Sequence, residues 1–559
     1  MANRPREDRQ IETAEKDPRD SDTLFLAAAR SNLPKLLPEF LMRRRWFGGK
    51  ARRILAVEVL DIVAIDQPVL RAYFVLAQIR YESGPGDTYN IPLIHLRNGE
   101  SVGADPTTVI SFRDPASTED IVLADALLDQ RFLSRLLDAI AQSDSFPGSR
   151  GEVRASSTSA LPALWQPSEG VLEPSLIRAE QSNSSVTYGQ RLMLKIVRRV
   201  EEGVNPDLEI GLFLTEQSSF RHVPPVAGHV EYLSREGTRT VLGILQGFVA
   251  NQGDAWQFTL KALEEYYETA QRGRPLEASD IPQTSILLLS SQPVPSAAAK
   301  RIGPYLNAAA LLGRRTAELH VALSSARQYP AFTPHVISQA EQQAFVSSAT
   351  DLATANLALL RRLRNEVPEY IRREVDDVLE LEETVRQRFQ LLSGRKLSAM
   401  LTRIHGDYHL GQVLFTGNDF VIIDFEGEPA RPLEDRRKKR STLQDVAGML
   451  RSFHYAAYAP LLQKSTVNGP DTRFRDLGRW AYYWQKWVSA TFLKAYLETS
   501  RDSEFIPKID AELVLLLDAF LLDKAIYELG YELNNRPSWV RIPLEGISQL
   551  LTDTSSAVE

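Results

Sequence analysis

The chain has 559 residues, is 43% hydrophobic and 25% charged, and carries a formal net charge of −7. That balance describes a globular protein of two or three packed units and argues against a general nucleic-acid binder. With no cysteine in the chain, disulfides, thiolate metal sites and cysteine nucleophiles are excluded.

Residues 1–20 are charged throughout and lack an apolar run, so a disordered tail over 1–22 and a cytoplasmic protein are expected. The most apolar stretch, 513–526, is broken by Asp518, Asp523 and Lys524 and is too short to span a bilayer. Residues 24–41 are apolar at helical spacing but interrupted by Pro34 and Pro38, which predicts two short helices. The run RRRWFGGK at 43–50 reads as a phosphate contact, a nucleic-acid patch or, more commonly, a solvated turn packed on Trp46 and Phe47. Residues 54–80 and 89–96 predict antiparallel strands of a β-rich cap. Residues 118–141 predict helices, and the Ser/Gly/Pro-rich 142–162 a loop or boundary.

In LMLKIV, 192–197, Leu192, Leu194 and Ile196 take one strand face and Lys195 the other. A lone lysine there needs a place for its charge: water, at an edge strand, or a phosphate. Asn205-Pro206 starts a helix with Glu209 one turn in. A strand lysine followed by a helix glutamate is the pair that holds the α- and β-phosphates in kinases. Residues 240–250 predict an apolar strand running into 246–249, where Gly247 gives a linker its freedom or marks a bulge; 254–267, 308–323, 337–363 and 368–392 predict helices, and 268–295 an insertion or mobile connection.

The stretch 403–432, RIHGDYHLGQVLFTGNDFVIIDFEGEPARP, predicts a hairpin over 412–423 with its turn at 416–419. The hairpin's open end brings Gln412 beside Asp424, with Asp407 one loop upstream. Two acids and an amide at one point suit a carboxylate-activated hydroxyl next to a phosphate-bridging metal. The run 436–440, RRKKR, reads as a solvated face or as a contact to phosphates or a partner. Trp480, Trp484 and Trp487 share a helix face, a core stripe more often than a sugar platform. Glu528 and Glu532 share a face with Arg536 one turn on, either an ion-pair ladder or a reader of sugar hydroxyls.

HGDYHLGQ, IDFEGEP and YELNNRPSW together resemble the maltokinases, in the aminoglycoside-phosphotransferase-like branch of eukaryotic-type kinases. The resemblance implies an α+β, bilobal protein-kinase-like fold: a β-rich cap and intermediate segment over 23–150, a nucleotide-binding lobe over 151–255 and a mostly helical lobe over 256–559. It implies ATP and Mg²⁺, with Asp407 as catalytic base. ATP would be held by Lys195 braced by Glu209, by Ser182, Asn183, Ser184 and Ser185, and by Gln246 and Phe248 at the hinge. Gln412, Asp424 and Glu426 would hold the metal, and His409, Glu528, Glu532 and Arg536 the sugar. His405 would brace the loop, and Asp445 would support it from behind. The family acceptor is maltose, giving maltose 1-phosphate, with a separate trehalose synthase as a functional neighbour. Glucosamine or an aminoglycoside stays open as acceptor, and a non-catalytic kinase-like module is a further alternative. The expected assembly is a monomer or homodimer, with no nucleic-acid or membrane partner.

Overall fold

The computed structural model describes residues 18–67, 70–96, 100, 109–113, 120–177, 183–463 and 470–553. It divides into two compact units, one of residues 1–204 and 226–248, the other of 205–225 and 249–559. The segment 205–225 thus belongs with the C-terminal residues, and the expected hinge residue Phe248 closes the first unit.

The first unit is built on two antiparallel sheets. In one, Ile54–Gln67, Leu70–Tyr81, Asp87–Leu96, Asp120–Asp125 and Val109–Arg113 lie side by side in that order, and Arg199–Val200 pairs with Asp87–Leu96. The second runs Ser145–Pro147, Gly151–Ser157, Val226–Ser234, Arg239–Gly247, Leu192–Ile196, Ser184–Tyr188 and Pro174–Ile177. Residues 145–157, expected as a loop, therefore form strands, and 120–125, expected as helix, is a strand before the helix Gln130–Gln142. Tertiary pairing overrode the local composition in both places.

Of the expected tail, residues 1–17 lie outside the described residues, whereas Pro18–Met42 is one helix that contains both prolines. Prolines four apart share a helix face, which concentrates the missing N–H groups on one side rather than breaking the helix twice. The RRRWFGGK segment is a packed turn. Phe47 packs at a tilt against Tyr89, the Tyr89 hydroxyl accepts the Gly48 N–H at 3.2 Å, and Trp46 lies 4.5 Å under the Arg198 guanidinium. Arg198 is itself buried and paired with Asp125 at 3.0 Å.

The second unit is mostly helical around one large apolar core. Trp480, Trp484 and Trp487 on the helix Pro470–Thr499 are buried within it, so this stripe is core. The insertion after the helix Ala255–Arg272 contributes two short helices, Ile286–Ser290 and Ser296–Ile302. The second predicted long helix is two, Arg372–Glu380 and Glu382–Gln390. Among the described residues no helix is long and apolar enough to cross a membrane.

Candidate active site

The 412–423 hairpin forms as expected, with Val413 opposite Ile422 and Phe415 opposite Phe420. Its turn closes through the Thr416 N–H to Asp419 O at 2.9 Å, and the Ile423 N–H donates to Gln412 O at 3.0 Å, one pair beyond the strands. Arg315 grips the Asp419 carboxylate with two nitrogens at 2.9 and 2.7 Å.

Asp407 sits on a loop held from three directions. His405 Nδ1 accepts the Asp407 N–H at 3.3 Å while its Nε2 donates to Ile423 O at 2.9 Å. One imidazole thereby ties the Asp407 loop to the strand that leads into Asp424. Behind it, the buried Asp445 carboxylate accepts the N–H groups of His405 at 2.7 Å and Gly406 at 2.9 Å, and His320 Nε2 at 3.0 Å. Burial pushes this carboxyl up, but the hydrogen bond and charge of His320, with His405 and the Gly406 N–H, outweigh it and hold it below the usual range. Two glycines permit the close approach. Gly406 has φ of 86°, and a Cβ there would meet Gly427 Cα at 3.4 Å; a Cβ on Gly448 would meet Tyr408 O at 2.6 Å.

Beside the hairpin, oxygens of Asp207, Asp424 and Glu426 lie within 4.8 Å of one another, a group able to hold a divalent cation. Asp424 has φ of 68°, a left-handed value unusual outside glycine. The buried Asp207 accepts the Phe425 N–H at 2.9 Å, so it also fixes the segment after Asp424. Three hard oxygen donors fit Mg²⁺. Asp207 was missed in the sequence, where the adjacent Glu209 drew the attention; its signal was an acid in the first turn after Asn205-Pro206.

Glu209 has arginine partners where the sequence suggested a lysine. Arg403 Nη1 reaches one oxygen at 2.7 Å, and Arg437 reaches both, at 3.1 and 2.7 Å. Burial works against ionisation here, but the two guanidiniums win and hold the carboxyl below its ordinary range. In the first unit, Leu192, Leu194 and Ile196 are buried on one face, and Lys195 lies opposite Ser185 and Ile244. Ser182 lies outside the described residues. Asn183 Oδ1 accepts the Arg198 N–H at 3.4 Å, Ser184 Oγ accepts Arg198 Nε at 2.9 Å, and Ser184 and Ser185 are buried at the start of a strand rather than in a loop. Gln246 pairs with Met193 and Val226, and the Phe248 N–H donates to Arg191 O at 2.8 Å.

A pocket opens on Asp407, lined by Glu428, Arg431, Asp523, Lys524 and Tyr527 among others. Lys524 Nζ stands 3.8 Å from one Asp407 oxygen and His409 Nε2 stands 3.9 Å from the other. Desolvation holds His409 below its ordinary pKa against the opposing pull of Asp407. Arg431 Nε donates to Glu428 at 2.5 Å and Tyr527 hydrogen-bonds the same carboxylate. Burial raises the Asp523 carboxyl to about 6 against the pull of Arg431 and Lys524. None of these five residues stands out as a site residue in the sequence, although Glu428 lies within IDFEGEP.

Glu528, Glu532 and Arg536 do not line this pocket. Glu528 takes Arg451 Nε and Nη2 at 2.8 and 2.6 Å. Glu532 takes the Tyr455 hydroxyl at 3.1 Å and Arg536 at 2.7 and 3.0 Å. Glu532 and Arg536 keep the i, i+4 ion pair of the ladder with Arg536 exposed, while Glu528 and Glu532 are held by Arg451 and Tyr455 of the helix Leu443–Gln463 against the helix Asp510–Asn535.

Comparison with known proteins finds two matching families. The maltokinase N-terminal cap domain family matches residues 40–129, and the phosphotransferase enzyme family matches residues 299–427. The chain thus carries one region similar to a maltokinase cap and another similar to phosphotransferase enzymes. A glucosamine kinase of Mycolicibacterium smegmatis is 25% identical over 385 residues, which is 68% of this chain and 80% of that relative. Another, from Streptacidiphilus jiangxiensis, is 26% identical over 253 residues, 44% of this chain and 49% of the relative. A solved glucosamine kinase in complex with glucosamine, ADP and inorganic phosphate aligns over 92% of this chain and 98% of its own, with a TM-score of 0.60 and 17% identity. That likeness supports the kinase-like fold.

Proposed function

We propose that this maltokinase-like protein transfers the γ-phosphoryl group of ATP to a hydroxyl of a small sugar, with Asp407 orienting that hydroxyl and accepting its proton. The observation that carries the reading is the placement of Asp407. It faces a polar pocket of the second unit, while a three-carboxylate group stands at the end of the hairpin tied to its loop through His405. A carboxylate serves here without a raised pKa, because the hydroxyl gives up its proton late in a loose phosphoryl transfer. Asp207, Asp424 and Glu426 would hold Mg²⁺, and Gln412 stands beside them at the hairpin's open end. When bound, the metal neutralises phosphate charge. Lys195, the segment 182–185, Gln246 and Phe248 are the proposed nucleotide contacts. Glu209 is proposed to set Arg403 and Arg437.

For the acceptor we favour maltose, because the cap family is that of the maltokinases. A separate trehalose synthase would then supply or share the disaccharide in α-glucan metabolism. Glucosamine is the second reading, favoured by the names of the relatives and by Glu428 and Asp523, which could face an amine. The test is ADP release from Mg-ATP with maltose, glucosamine, glucose and kanamycin in parallel. Turnover with glucosamine and none with maltose would overturn the maltose assignment. No turnover with any sugar would overturn the kinase reading.

A further inference from the structure

The basic run 436–440 was left open by the sequence, and the structure gives it a setting. Next to the Asp407 pocket lies a larger cavity of about 2060 Å³, counting the solvent at its mouth. Leu352, Arg431, Arg440, Gln444, Phe520 and Asp523 line both, so the two adjoin. The larger one is faced by Arg403, Arg431, Arg437, Lys438, Lys439 and Arg440, against Glu341, Glu434, Asp435 and Asp523. Part of that acid is already spent locally. Glu341 takes His335 and the Ser338 N–H and hydroxyl, and Asp435 takes Lys438. Arg403 and Arg437 have to share the single Glu209 carboxylate.

The decisive group is Arg403. Its side chain is 2% exposed, Nη1 is bound to Glu209, and Nη2 is buried without a hydrogen-bond partner. Arg403 lines this cavity, and an unpaired guanidinium N–H asks for an acceptor. Around it, Arg440 donates only to a backbone oxygen, Asp435 O at 3.3 Å, and Lys439 is poised at Pro330 O, 2.7 Å away. Guanidiniums present paired donors that match carboxylate and phosphate oxygens.

We propose that this cavity binds a phosphate or carboxylate anion, held by Arg403, Arg440 and Lys439, beside the sugar in the Asp407 pocket. The anion is either part of the acceptor, as in a sugar acid or sugar phosphate, or a separate small ion next to a neutral acceptor. The site stands whichever sugar is phosphorylated.

The experiment is calorimetric titration of the full chain with inorganic phosphate, glucuronate and glucose, with the nucleotide site filled by a non-hydrolysable Mg-ATP analogue. Filling that site keeps phosphate out of the γ-position. Saturable binding of phosphate and glucuronate is expected, weakened about tenfold in Arg440→Gln and in Lys439→Gln, since each loses one charge-assisted contact. Arg403→Gln would also unsettle Glu209, so the two other variants, checked by an unchanged melting temperature, carry the test. Competition between phosphate and glucuronate together with faster turnover of glucuronate than of glucose assigns the anion to the acceptor. Phosphate binding that leaves turnover of neutral and acidic sugars equal assigns it to a separate ion. Absence of saturable binding by either anion, or binding untouched by both variants, overturns the proposal. ADP release with any sugar reports separately on the kinase reading.

Discussion

Asp445→Asn isolates the brace behind the Asp407 loop. In the native site one oxygen of Asp445 serves the His405 N–H at 2.7 Å and His320 at 3.0 Å, and the other serves the Gly406 N–H at 2.9 Å. An asparagine offers one oxygen and one donor group. Its least harmful orientation keeps the oxygen toward His405 and His320 and points the NH₂ at the Gly406 N–H, donor against donor. Leaving a buried backbone N–H unpaired costs roughly 1–3 kcal/mol. The two remaining bonds lose their ionic acceptor, and charge-assisted bonds are about twice as strong as neutral ones, which adds about 1 kcal/mol. Destabilisation of about 3 kcal/mol is expected, read as a shift of the urea midpoint at constant slope. Because Asp407 is joined to this turn through His405, kcat should fall while ATP affinity holds. The acid limb changes too. A depressed carboxyl contributes stability that is present above its unfolded value and lost as pH falls through the folded one, so native stability falls at low pH by a step the variant lacks. A variant with less than about 1 kcal/mol lost and native kcat would refute the brace.

Asp407→Asn should lower kcat by roughly 10²–10⁴ with ATP binding retained, measured by steady-state kinetics and nucleotide titration; wild-type turnover would remove Asp407 from the chemistry. Asp207→Asn should raise the Mg²⁺ concentration needed for half-maximal rate, and an unchanged Mg²⁺ curve would take Asp207 out of the carboxylate group. Asp523 is raised from 3.8 to about 6. Its folded state holds the proton longer, so its contribution is full below the unfolded value and declines as pH rises toward 6. Asp523→Asn should abolish that decline and leave the protein more stable above pH 6, by no more than about 3 kcal/mol in chemical unfolding. Glu528→Gln leaves the Arg451 charge buried with a neutral partner and should cost about 3 kcal/mol of stability, whereas a sugar-reading role would show as a raised KM at native stability. Gly448→Ala should destabilise and slow the enzyme together, since the added Cβ would stand 2.6 Å from Tyr408 O, a backbone atom with little room to move.

Local chemistry was enough for the parts of this protein whose spacing is short. The hairpin over 412–423 has its turn residues, its alternation and its two flanking acids within one contiguous stretch, so its form follows from the sequence alone. The same holds for Lys195, set among Leu192, Leu194 and Ile196, and for the helix start at Asn205, whose side chain caps Leu208 at 3.1 Å. The motifs at 405–412 and 423–429 likewise pointed to the kinase-like fold.

Partnerships across long separations were decided by the tertiary structure. Glu209 meets Arg403 and Arg437, about two hundred residues away in sequence, because helix packing and not spacing brings them together. Asp207 became part of the carboxylate group for the same reason, and Glu428, Arg431, Asp523 and Lys524 became a pocket wall only once the helix Asp510–Asn535 lay over the Asp407 loop. Glu528, Glu532 and Arg536 show the reverse. Their i, i+4 spacing was legible, but whether a carboxylate faces sugar or a buried arginine depends on which helix covers it. Sequence determined the chemistry available at each position. Burial and the neighbouring element, properties no local window contains, decided which charges are compensated within the protein and which are left to meet a ligand.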